Sequence, residues 1–180
     1  MEKYNFDLDE KIIKDLSEEF NPQSIVNDLK LPNPIDFKAM TISFENYGKD
    51  LARKSIIRGE KNPDRTYEVM KQAIAKTGEM TFPLVPQRYI EIAYLSTQPF
   101  KRLWVISNNP KVFSYRLKEC NTYQAIRQKY GEEVANKMIC KSACFGMLDE
   151  IFLHFGFDVE LSLETSMAET GSCQFRIEKK

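Results

Sequence analysis

Four cysteines carry most of the chemistry this chain can offer: Cys120, Cys140, Cys144 and Cys173. A thiolate can attack an electrophilic carbon or hold a metal. Cys140 and Cys144 stand four apart in "MICKSACFGM", so a helix there puts both on one face. Two ligands at that spacing can share a metal, with further ligands brought from elsewhere. Cys120 and Cys173 complete a set of four by count alone. The tight CxxC spacing of convincing zinc sites is absent. Free cysteine is also among the most buried residue types, so plain packing competes for each thiol.

The other candidates are fewer. The single histidine, His154, rules out a zinc site built on several histidines of one chain, and any triad or Cys-His dyad must use it. Near a helix end its cation would gain from the helix dipole. Asp149 follows Cys144 by five and is a candidate general base or a surface acid. Glu164 sits in "LSLET", pointing out if Leu161 and Leu163 point in. Arg176 could meet a substrate carboxylate through two parallel hydrogen bonds. Trp104, Tyr94 and Tyr115 could line a pocket or simply pack. No GxGxxG and no GxxxxGK[ST] occurs, and seven glycines leave little for a phosphate-cradling loop.

Composition narrows the class. The 180 residues are 42% hydrophobic and 29% charged, enough for one domain with a core. Lys+Arg and Asp+Glu balance at 26 each, which argues against a general nucleic-acid binder. No stretch reaches the roughly 18–20 apolar residues of a membrane span, and the charged start "MEKYNFDLDEKIIKDL" lacks a signal-peptide core. The expectation is a cytoplasmic protein with free thiols, no nucleic-acid or membrane partner, and a homodimer as the one self-association considered.

These residues need positioning elements. Residues 7–20 space Leu8, Ile12, Ile13 and Leu16 as a helix, "PQSIVNDLK" adds a short one, and the prolines of "LPNPID" break the pattern. Residues 1–35 therefore read as an N-terminal helical extension and 36–180 as one domain. Helices are expected over 37–58 and over 64–77, the latter capped by Asp64 and stopped by Gly78. "RYIEIAYLS" (88–96), "KRLWVIS" (101–107) and "KVFSYRLKE" (111–119) read as a three-stranded antiparallel meander. A helix capped by Asn121 runs to Gly131, and 132–156 reads as one long helix. Alternation over 158–169 and 172–179, joined by "TGS", predicts a hairpin. The class is α+β, an antiparallel sheet of meander plus C-terminal hairpin packed with helices.

On Cys120, Gly131, Cys140, Glu164-Thr165, Gly171, Cys173, Phe175 and Arg176, in that order, the last 60 residues resemble the L-2-amino-thiazoline-4-carboxylic acid hydrolase family. Cys144 is additional to that pattern, no acidic residue follows the helix cysteine before Asp149, and only Ser172 separates Gly171 from Cys173. The resemblance implies a thiol-dependent hydrolase opening a small cyclic amidine. Cys140 would then be the nucleophile with Cys120 and Cys173 beside it; on their own chemistry, Asp149 is the candidate base and Arg176, Glu164, Trp104 and Tyr115 are the candidate substrate contacts. It implies no cofactor. The same ending also resembles the vinyl-reductase-type small-ligand-binding domain. That likeness implies a non-catalytic ligand-binding domain, with zinc on Cys140, Cys144, Glu164 and Cys173. Met167 stands where that pattern has a cysteine.

Overall fold

The computed structural model describes residues 10–29, 36–63, 65–78, 82–99 and 103–180. Leu8, the break at 30–35, the Asp64 cap and the start of the strand at Lys101 and Arg102 lie outside the described residues. Within them the elements are α1 (Glu10–Glu19), α2 (Pro22–Asp28), α3 (Phe37–Lys61), α4 (Arg65–Thr77), α5 (Leu84–Thr97), β1 (Trp104–Asn108) and β2 (Val112–Leu117). There follow α6 (Asn121–Tyr130), α7 (Glu132–Ala135), α8 (Lys141–His154), β3 (Val159–Thr165), α9 (Met167–Thr170) and β4 (Cys173–Lys179). The four strands form one antiparallel sheet in the order β1-β2-β4-β3, so the protein is α+β.

Helices cover one face of the sheet, and alternation decides what each strand gives to the core. Phe113, Tyr115 and Leu117 of β2 and Cys173, Phe175 and Ile177 of β4 are buried beneath the helices. Arg116, Gln174 and Arg176 occupy the opposite face. Fully burying one such large side chain contributes about 1.5–3 kcal/mol.

The long α3 starts at Asp36, whose carboxylate accepts from the Ala39 N–H at 3.0 Å. Its Met40, Phe44, Gly48, Leu51, Ala52, Ser55, Ile56 and Gly59 are buried, a single stripe at helical spacing. That stripe crosses α8 at contact distance. A Cβ on Gly48 would lie 1.9 Å from the Ala143 carbonyl oxygen, and one on Gly146 would lie 2.5 Å from that of Glu45. Glycine at both crossings is what brings the two backbones together.

Three expectations are corrected. Residues 88–96 are not a strand: they belong to α5, so the meander is a hairpin, β1–β2, turned at Asn109, whose side chain accepts from the Lys111 and Val112 N–H groups. Eleven of the fourteen α5 residues are buried, and Tyr89, Ile90, Ile92 and Ala93 fully so; only Leu84, Gln87 and Glu91 are partly exposed. So narrow a polar stripe, one residue per turn among β-formers, leaves a weak 3.6-residue pattern to read. The helix expected over 132–156 is broken between α7 and α8, where Met138 takes a left-handed φ of 53°. Val134, Ala135, Met138, Ile139 and Cys140 are all buried in that turn, so its burial resembled a helix face. The C-terminal strands are joined by α9 rather than a tight "TGS" turn. Ser166 caps α9, accepting from the Glu169 N–H and donating to its carboxylate, and Gly171 closes it at φ 71°.

Candidate thiol-lined site

All four cysteines line one cavity between α3, α5, α6, α8 and the inner face of the sheet. Each arrives there for a local reason. Cys120 follows β2 and is the N-cap of α6, its Sγ accepting from the Tyr123 N–H at 3.4 Å. It holds the capping position expected for Asn121. Cys140 is the N-cap residue of α8, with φ −62° and ψ −21°, and Cys144 lies in that helix's first turn. Cys173 opens β4 on its inward-facing side, with Phe175 and Ile177. Tyr47 and Leu51 of α3, Tyr94 of α5, and Met138 and Met147 complete much of the wall. The cavity encloses about 30 Å³, room for one or two water-sized bodies.

Burial sets the electrostatics. It raises the Cys120 thiol above its ordinary value, against the pull of the Tyr123 and Thr122 N–H groups. Cys140 is pushed well up, first by burial and then by the neighbouring Cys120, Cys144 and Cys173. Cys144 is also pushed well up by burial and by Cys120, with the Tyr94 hydroxyl, which donates to its sulfur, working the other way. Cys173 rises to about 12 through burial and Cys120. Two of these thiols sit at helix N-termini, where the dipole favours a thiolate. Desolvation outweighs that gain, so all four are neutral thiols near pH 7.

Cys144 differs from the others in access. Cys120, Cys140 and Cys173 are 8%, 5% and 6% exposed, whereas Cys144 is half-buried. Its partner Tyr94 is bonded in turn to Tyr115, hydroxyl to hydroxyl at 2.9 Å. A surface pocket bordered by Lys118, Asn121 and Arg127 meets the cavity wall at Cys120 and Tyr123. Tyr123 lines both spaces, and its hydroxyl donates to Asn136 Oδ1 at 2.8 Å.

The remaining sequence candidates separate. Tyr115 is fully buried and stacks on Phe175 with centroids 5.4 Å apart, close behind the cavity. Asp149 is exposed on another side of α8, in a shallow pocket with Glu45 and Ser142. Glu164, Arg176 and Trp104 lie on the outer face of the sheet, away from the thiols. Glu164 accepts from Gln174 and pairs with Arg176 at 3.9 Å, and Arg176 also pairs with Glu178. Trp104 is 46% exposed beneath the Lys118 ammonium, 3.5 Å from its ring centroid. His154 is exposed at the end of α8, edge-on to Phe155.

The set Cys140, Cys144, Glu164 and Cys173 therefore does not converge, because a β-sheet stands between Glu164 and the thiols. Among the described residues, no three His, Cys, Asp or Glu side chains are placed to hold a metal together. No carboxylate and no imidazole among the described residues lines the cavity. Tyr47, Met138 and Met147 were not among the sequence candidates. Met147 was within reach of sequence reasoning, since it follows Cys140 by seven and Cys144 by three on the same helical stripe. No helix among the described residues is long and apolar enough to cross a membrane. No family model matches the chain, and no curated protein is similar enough to count as a relative.

Proposed function

We propose that this chain is a small-ligand-binding domain that holds its ligand, without catalysis, in the thiol-lined cavity. One observation carries this reading: the cavity joins four neutral, desolvated thiols to aromatic and methionine side chains, with no carboxylate or imidazole among the described residues to move a proton. Hydrolysis needs an activated nucleophile or an activated water. A cavity of this lining offers contact surface and soft donors instead.

Thiol-dependent hydrolysis of an aminothiazoline-carboxylate is the second reading. It is favoured by the capping positions of Cys120 and Cys140, each at the N-terminus of a helix. A substrate that polarised the site could draw on those dipoles.

One experiment separates the two. The purified chain and a Cys140→Ser variant are incubated with L-2-amino-thiazoline-4-carboxylate and followed by mass spectrometry, with native spectra of the protein recorded beside them. The binding reading expects unchanged substrate and a ligand retained only by the native protein. Addition of one water that requires Cys140 would overturn it and establish the hydrolase.

A further inference from the structure

We propose that Cys140, Cys144 and Met147, one stripe of α8 facing the cavity, form a binding site for a soft monovalent cation of the Cu(I) class. The proposal rests on the ligand-binding reading and names the chemistry of the ligand.

Positions i, i+4 and i+7 share one helix face, and Cβ atoms four apart stand about 5–6 Å from one another. Cys140 has helical backbone angles and Cys144 and Met147 are inside the helix, so the spacing applies to all three. All three line the same cavity, together with Met138, Cys120 and Cys173: six sulfur-bearing side chains around one small space. Thiolate and thioether donors select Cu(I), whereas carboxylate and carbonyl oxygens suit harder ions, and no carboxylate among the described residues contributes to this wall. A cavity of about 30 Å³ fits a bare ion better than an organic ligand.

Charge follows the same geometry. Binding replaces two S–H bonds by two Cu–S bonds and releases two protons to solvent. The copper stays Cu(I), and no electron moves. The bis-thiolate complex carries one negative charge, which the N-terminal end of α8 and the adjoining Lys141, at the cavity's border, both favour. Two thiolates in line suffice for such an ion. A tetrahedral zinc site needs four ligands, and the outward-facing Glu164 is not one of them.

The test uses the reduced full chain under anaerobic conditions. Cu(I) is titrated in against a chromophoric copper chelator, with Zn(II) in parallel. The expected result is one equivalent of Cu(I) withheld from the chelator. That equivalent is lost in Cys140→Ser and in Cys144→Ser, weakened in Met147→Leu, and kept when Cys120 and Cys173 are both replaced by serine. Near-ultraviolet circular dichroism verifies folding, and Cys144→Ala serves if the serine variant unfolds. Folded wild-type protein that withholds no Cu(I), that holds it equally well without Cys144, or that prefers Zn(II) would overturn the proposal. An organic ligand seen in native spectra of the same copper-free protein would leave the binding reading standing while removing this one.

Discussion

At the scale of single residues, the cysteines divide by access and not by acidity. Cys140 is the thiol that family resemblance puts forward, yet it is among the most buried of the four, whereas Cys144 is the one partly exposed cysteine residue. A small uncharged reagent such as methyl methanethiosulfonate should therefore label Cys144 first in the native protein. Labelling should be slow throughout. With Cys173 raised from an ordinary 9.0 to about 12, its thiolate fraction near neutral pH falls about a thousandfold. Peptide mapping of the time course decides the order; rapid labelling of Cys140 would restore the reactive-thiol picture. The sequence made the shared face of Cys140 and Cys144 legible, because an i,i+4 pair needs only a helix. It could not bring in Cys120 and Cys173, which reach the cavity through tertiary packing of α6 and β4. Glu164 was legible in a different way: its alternation with Leu161 and Leu163 put it outside, and outside the resemblance loses its fourth zinc ligand.

At the scale of elements, local rules were readable where a helix or strand keeps one wet face. The bounds of α3, α4 and α6 follow from stripes, caps and glycine stops, and β3 and β4 from alternation. The signal failed for α5, whose Tyr89–Leu95 stretch is buried except at Glu91 and rich in β-formers, and for the α7–α8 break, which no glycine or proline marks. The Ser166…Glu169 capping box was present in the sequence and announces α9. Positioning of the site depends most on the α3–α8 crossing, since Cys140, Cys144 and Met147 ride on α8 and Tyr47 and Leu51 on α3. Gly48→Ala should push the two backbones apart, because its Cβ would meet main-chain atoms that cannot swing away. The expected loss is about 2–3 kcal/mol, in the upper range for overpacking. Urea unfolding monitored at Trp104 would measure it, and a cost below half a kilocalorie would show that the crossing is loose. Gly78→Ala offers the contrast: nothing lies within 4 Å of it, so only its left-handed φ of 70° is strained.

At the scale of the whole molecule, the core is shared across the boundary expected at residue 35. Leu16 and Val26 are fully buried, and Tyr47, which lines the cavity, donates to the Phe20 carbonyl at 2.6 Å. Tyr130 and Lys129 bond the end of α2, and Glu19 pairs with Lys54 and Arg58. Leu16→Ala should then cost about 3 kcal/mol and lower the melting temperature of the entire chain in one transition. A second, separate transition would mean that α1 and α2 unfold alone. The four thiols also leave a global signature. Their folded pKa values are raised, so the stability they contribute is complete below their ordinary value of 9.0. As pH rises past 9 the unfolded chain loses thiol protons that the folded chain keeps. Unfolding is favoured progressively until the folded thiols ionise, at about 12 for Cys173. Each thiol contributes a slope approaching about 1.4 kcal/mol per pH unit in that window. Buried Tyr94 and Tyr115, also raised by burial, add to the fall at the upper end. Denaturant midpoints taken from pH 7 to 11 should fall more gently in a Cys144→Ala, Cys173→Ala double variant than in the wild type. The comparison is of slopes, so the cost of the two substitutions themselves cancels. Parallel slopes would mean that water reaches these thiols in the folded state, and that the cavity is open to the solvent its lining is built to exclude.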